Sequence, residues 1–276
     1  MNENSLLNLE CIALWLSLTG YSVACVMALI GVAFRKRPER TMLALLGFSV
    51  LLHTVSIGAR WLRLGHLPVG NGFEMLSANV WGLMVAVLIG YWLMPRVRAF
   101  AAIVLPVVIM LMAWMLLIPA HESSLPPSYD TVWLFIHIGF IKLFLGAAFI
   151  ALGMGGIVLL RRANIGRDRF AGLPEDHRLD DLAYRYMALA LMFDTLGIVA
   201  GAIWALDAWG RYWSWDPLEV WSLLTWLAIG LTLHLRSSFR TGPVVNAVMM
   251  AGTFVIAFFT FFGIPFVSTA LHKGMV

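Results

Sequence analysis

Five of the 12 tryptophans in this chain of 276 residues fall in one short stretch, at Trp204, Trp209, Trp213, Trp215 and Trp221. They are interleaved with Gly210, Asp216, Pro217 and Glu219. Flat rings on a backbone shaped by glycine, proline and acidic residues suit a platform for a flat, apolar ligand. Tryptophans also gather at membrane interfaces for purely physical reasons, but such a belt spreads over every helix end rather than filling one turn.

Histidine is the second signal, because neutral imidazole is the usual protein ligand of haem iron and ionisable residues inside apolar spans are functional candidates. His137 lies about five residues, or ~8 Å, into an apolar run that begins near Val132. His272 follows the last apolar run, so both can reach a ligand on the tryptophan segment. His234 is roughly 28 Å from Trp215 along a helix, which one planar ligand cannot span, so it serves a second site or none. Taken singly, each histidine is more often a packed or hydrogen-bonded side chain; the tryptophan cluster tips the balance. His53 sits inside the second run. His66, His121 and His177 fall in polar connections, where solvated or capping roles are the ordinary ones.

The elements that must position these residues follow from composition. Hydrophobic residues make up 61% of the chain and charged residues 12%, with a mean hydropathy of +0.85. A soluble domain of this length could not carry that surface, so the solvent is lipid. Apolar runs at about Leu9–Ala33, Met42–Gly58, Leu76–Leu93, Phe100–Ile118, Val132–Leu160, Tyr186–Leu206, Val220–Leu235 and Val244–Val267 predict an all-α integral membrane protein of about eight transmembrane helices. Alternate connections hold 14 of the 19 Lys and Arg, including Arg35, Arg96, Arg161 and Arg240. The positive-inside rule makes those connections cytoplasmic and puts both termini on the outer, periplasmic side. The polar start Met1–Asn4 lacks a basic leader, so the first run is expected to remain as a helix.

No repeat or low-complexity tract breaks the chain, which reads as a single polytopic domain over residues 1–276 with its aromatic segment at about 204–221. The net charge of +4 sits in membrane-flanking loops and gives nucleic-acid binding no support. Cys11 and Cys25 lie roughly 21 Å apart on one helix, too far for a disulfide or a shared metal, and read as packing residues. Lys142 and Asp194 are charges within apolar runs at ~15 and ~18 Å depth, and are expected to form a buried ion pair between the fifth and sixth helices.

Trp209-Gly210-Arg211-Tyr212-Trp213-Ser214-Trp215-Asp216 matches without a gap the W-G-x-x-W-x-W-D signature of the membrane haem-handling proteins of cytochrome c biogenesis, and Pro217, Glu219 and Trp221 continue the fit. Eight spans, the segment from Arg60-Trp61 through Gly65-His66-Leu67-Pro68 to Asn71-Gly72-Phe73-Glu74, and His234 before Arg236 resemble the CcsA (ResC) branch. The chain departs from the family pattern at Leu218, Phe73, Pro265 and Lys273.

The resemblance implies that His137 and His272 are axial ligands of haem iron at an outer site, with Trp209, Trp213, Trp215 and Asp216 as its platform, supported by Gly210, Pro217 and Glu219. It implies that His234 serves an inner haem site completed by a histidine of a CcsB (ResB) partner. The cargo is haem b, attached through thioethers to Cys-x-x-Cys-His segments of apocytochrome c, so the chain reads as a subunit of a holocytochrome c synthase. A thioredoxin-like reductant of those cysteines is a further partner, and the plasma (inner) membrane of a bacterium the location. The alternatives are a haem transporter without synthase activity and a b-type haem redox anchor, the latter needing paired histidines such as His53 and His137 at equal depth.

Overall fold

The computed structural model describes residues 2–34, 38–126, 129, 131–165, 167–170 and 172–267. Its regular elements are helical throughout, and eight helices are long and apolar enough to cross a membrane, as expected of a multi-pass membrane protein. They are α1 (Glu3–Ala33), α2 (Glu39–Leu64), α3 (Gly72–Leu93), a 3-10 turn (Pro95–Phe100) leading into α4 (Ala101–Leu117), α5 (Val132–Arg162), α6 (Asp176–Trp209), α7 (Pro217–Phe239) and α8 (Pro243–Phe258). A π turn (Phe259–Gly263) and the short α9 (Ile264–Val267) continue α8. Helix is the only economical choice here, since lipid offers backbone groups no partners.

The chain forms two compact units, Met1–Ser124 with Gly166–Leu173, and Leu125–Ile165 with Pro174–Val276. In the first, α1 packs along α2 and α4, while α3 packs against α2 and α4. A β-carbon at Gly20 of α1 would lie 2.0 Å from Ser49 Oγ and 3.0 Å from Ser49 Cβ of α2, so any larger residue there would have to displace the Ser49 side chain. His53 is fully buried, with Nδ1 3.3 Å from the Tyr21 hydroxyl and Nε2 3.0 Å from Ser77 Oγ, which ties α1, α2 and α3 together. With both ring nitrogens engaged inside its own bundle, His53 offers no support for a paired-histidine redox anchor.

At the end of this unit that carries residues 65–71 and 118–124, Arg60 donates to Glu10 Oε1 at 2.7 Å and to Glu74 Oε1 at 3.0 and 2.9 Å. It also donates to the His121 carbonyl. Arg63 donates to Glu10 Oε2 at 2.9 Å and to Glu122. Asn71 caps α3 by accepting from Glu74 N at 2.9 Å, and Ser123 Oγ donates to both Glu74 oxygens at 2.9 and 2.7 Å. Buried charges persist only when paired and hydrogen-bonded, and these are. His66 sits between the Leu67 and Ser123 carbonyls, its Nδ1 and Nε2 at 3.0 and 2.9 Å from them, where its sequence position suggested a solvated or capping role.

In the second unit α5 runs antiparallel to α6 and also packs on α8, and α7 packs on α6 and α8. Two threonine pairs join α7 to the last span, Thr232 with Thr253 at 3.0 Å and Thr225 with Thr260 of the π turn at 2.8 Å. At the opposite end of α7, Arg236 donates to Asp180 Oδ2 at 2.9 Å and to Asp181 at 2.5 Å, and lies over the Tyr184 ring. This brings the first turns of α6 into the fold and explains why that helix starts ten residues before its apolar run.

The expected Lys142–Asp194 ion pair does not form. Asp194 is fully buried, yet neither carboxylate oxygen has a hydrogen-bond partner among the described residues. The two residues agree in depth along the helix axes but not in rotation about them. Ile141 is the residue that meets α6 at Gly197, and Lys142, the next residue, is rotated about 100° away from that line.

Candidate functional site

The α6–α7 connection is held at both ends by local backbone chemistry. Gly210 terminates α6 in the left-handed conformation, φ +77°, with its N–H donating to the Leu206 carbonyl at 2.9 Å. That is the usual glycine stop, because a β-carbon is penalised there. Asp216 starts α7 by accepting from Glu219 N at 3.0 Å, Pro217 occupies the first turn, and Glu219 Oε2 accepts from Asp216 N at 3.2 Å. This is a complete capping box. Glu219 also accepts from Ser214 N at 2.7 Å and Ser214 Oγ at 3.0 Å. Asp216 and Glu219 are both buried, so the acidic half of the signature is what shapes the turn.

Between the two caps, Trp215 adopts φ +59°, a left-handed conformation that costs a non-glycine residue on the order of 1–3 kcal/mol. The residue is 72% exposed and its ring stands edge-on to Trp213 at 5.9 Å. Trp204, Trp209 and Tyr129 form a second aromatic group, with Trp204–Trp209 centroids 4.9 Å apart and Tyr129 edge-on to each at 5.2 and 6.0 Å. Burial among these rings pushes the Tyr129 phenol above its ordinary pKa, so it stays neutral.

Trp204, Trp209 and Trp213 of these groups wall an open cleft bounded by α5, α6, α7 and the π turn. His137, Trp204, Trp209, Trp213, Glu219 and Phe261 line it. The His137 ring lies parallel to Trp204, at 10° and 6.2 Å between centroids. Its Nδ1 is 2.8 Å from the Gly197 carbonyl oxygen. A carbonyl can only accept, so Nδ1 carries the proton and the ring lone pair is on Nε2, the tautomer that coordinates a metal.

The structure thus brings His137, Trp209, Trp213 and Glu219 to one cleft, while Gly210, Asp216 and Pro217 build the turn behind it and Trp215 projects outward. His234 is elsewhere, on the exposed face of α7, with Ser238 Oγ 3.5 Å from its Nδ1. His272 lies outside the described residues. Gly197, Gly201, Tyr129 and Phe261 were not singled out from sequence. The signal for the first two is there, as Gly197-Ile198-Val199-Ala200-Gly201 is a G-x-x-x-G segment, the pattern by which membrane helices approach closely.

A family model described as cytochrome C assembly protein matches residues 69–272. The cytochrome c biogenesis protein CcsA of a Synechococcus species is 31% identical over 269 residues, covering 87% of this chain and 86% of the relative. The CcsA protein of Guillardia theta is 28% identical and covers 96% of this chain and 94% of the relative. The solved structure of the cytochrome c haem lyase CcmF superposes with a TM-score of 0.70 at 17% identity, over 95% of this chain and 47% of that one. The chain therefore spans about half the length of that structure, and at such identity the likeness speaks for the fold alone. With a family model spanning most of the sequence and a CcsA relative 31% identical across 87% of it, the chain belongs to the cytochrome c assembly protein family, in its CcsA-type branch, and its role lies in cytochrome c biogenesis.

Proposed function

We propose that this chain holds haem b in the aromatic cleft, at the outer face of the bacterial plasma membrane, and presents it for covalent attachment to apocytochrome c. A CcsB-type membrane subunit works with it, and a thioredoxin-like protein keeps the client cysteines reduced. The observation that carries the reading is His137, which lines an aromatic-walled cleft in the metal-ligating tautomer. The cleft's stacked and edge-on rings suit a flat macrocycle. His272 supplies the second axial ligand from the tail.

Haem has an apolar edge bearing vinyl groups and a polar edge bearing propionates, so a cleft at a membrane boundary can orient it with the vinyls toward the client. Each client thiol adds across one vinyl, sulfur to one carbon and hydrogen to the other, with no oxidant required. The client histidine then displaces an axial ligand and the product leaves. The residues of this chain contribute position, which can supply several kcal/mol of the barrier. His234, exposed on α7, serves a second site completed by the partner's histidine.

The test is expression of the full chain with its partner and a c-type apocytochrome, followed by assay for covalently bound haem. Wild type should give covalent product, and His137→Gly and His272→Gly should give none. Reversible haem binding with no covalent product from wild type would favour a transporter instead.

A further inference from the structure

We infer that the main-chain carbonyl of Gly197, reachable only because residue 201 is glycine, is the positioning group that makes His137 a strong and retained axial ligand. The inference rests on the haem-binding reading above. In an α-helix each Cα–Cβ bond tilts toward the N-terminus, so the β-carbon of a residue covers the turn before it. The β-carbon of residue 201 would therefore shield the carbonyl of residue 197. Built at Gly201, it would lie 2.7 Å from His137 Nδ1 and 2.8 Å from Cε1, which displaces the ring rather than crowding it. Gly197 makes the matching allowance below, where a β-carbon would lie 2.8 Å from Ile141 Cδ1. The two glycines let α5 approach α6 closely enough for Nδ1–H to reach a carbonyl inside the helical ladder.

A histidine whose second nitrogen donates to a fixed acceptor is held in one tautomer and one orientation, and its ligating nitrogen gains basicity. Trp204, parallel to the ring, fixes the remaining rotation. Gly197 lies outside the cleft lining and Gly201 within it; both act through His137, setting how tightly it holds ferric iron while the opposite ligand is exchanged.

The experiment uses the full chain with its partner and the His137→Gly variant, supplied with either imidazole or 1-methylimidazole. Both azoles can coordinate iron, but only imidazole can also donate to the Gly197 carbonyl. Relative to their affinity ratio for free haem in the same detergent, imidazole should bind the variant about 10-fold more tightly. That preference should collapse to the free-haem ratio in a His137→Gly, Gly201→Ala double variant. Gly201→Ala alone should speed haem loss and raise the midpoint potential of the bound haem; because it could also fail to fold, the azole comparison is the deciding measurement. If both azoles restore haem in the free-haem ratio, the role of Gly197 is overturned and the haem site stands. If neither restores haem, the haem reading itself falls, and this inference with it.

Discussion

Arg60 grips a single oxygen of Glu74, Oε1, through both Nε and Nη2, at 3.0 and 2.9 Å, while its other terminal nitrogen holds Glu10 at 2.7 Å. One guanidinium therefore joins three helices at a site where all three side chains are buried. Breaking a buried pair by removing one partner leaves uncompensated charge and costs about 3–5 kcal/mol. Arg60→Met should lose stability on that scale in detergent unfolding. A loss under about 1 kcal/mol would mean that water, not Arg60, satisfies the two carboxylates.

Asp194 is the opposite case, a buried carboxyl with no hydrogen-bond partner among the described residues. Removing an unsatisfied buried polar group recovers its desolvation penalty, about 1–3 kcal/mol. Asp194→Leu should be neutral or stabilising by up to that amount. In a double-mutant cycle with Lys142→Met the effects should add to within about 0.5 kcal/mol. A coupling well above that would restore the ion pair that the α5–α6 register argues against.

Trp215 pays for an exposed, left-handed position in the middle of the signature, which is where strain points to function rather than to packing. Trp215→Gly should leave the thermal midpoint unchanged or higher, because glycine adopts this conformation without penalty. The yield of covalent cytochrome should fall all the same. A lowered midpoint accompanying that fall would make Trp215 a structural residue.

For His234, exposed on α7, replacement by alanine should reduce total haem recovered with the partner complex. The absorption spectrum of haem held at His137 should not change. A shifted spectrum would place both histidines on one haem and end the two-site picture.

Much of this was legible in the residues, and the remainder was hidden for identifiable reasons. Apolar run length located all eight spans, but it undershot helix ends wherever polar residues are satisfied inside the fold. Thus α2 runs on to Leu64 through Arg60 and Arg63, and α6 begins at Asp176 because Asp180 and Arg236 pair. The signature pointed to residues that the fold gathers in and beside one cleft, though not that Asp216 and Glu219 serve one another as a helix cap. Periodicity measures depth well and rotation poorly, and so it aligned Lys142 with Asp194 in height while missing that Ile141, not Lys142, meets α6 at Gly197. The seat of His137 was invisible because its acceptor is a main-chain atom, and no side chain announces it.

The turn between Gly210 and Glu219 is fastened before any ligand arrives, by a glycine stop on one side and a reciprocal cap on the other. Ordering a loose loop of this size on binding would consume free energy on the order of 1–2 kcal/mol for each residue fixed. Here that entropy is already spent in folding, so contact with a flat ligand need not repay it. Affinity at such a site can then be modest in its contacts and still sufficient. Cargo held by few contacts on a rigid frame can also be handed on without dismantling the frame.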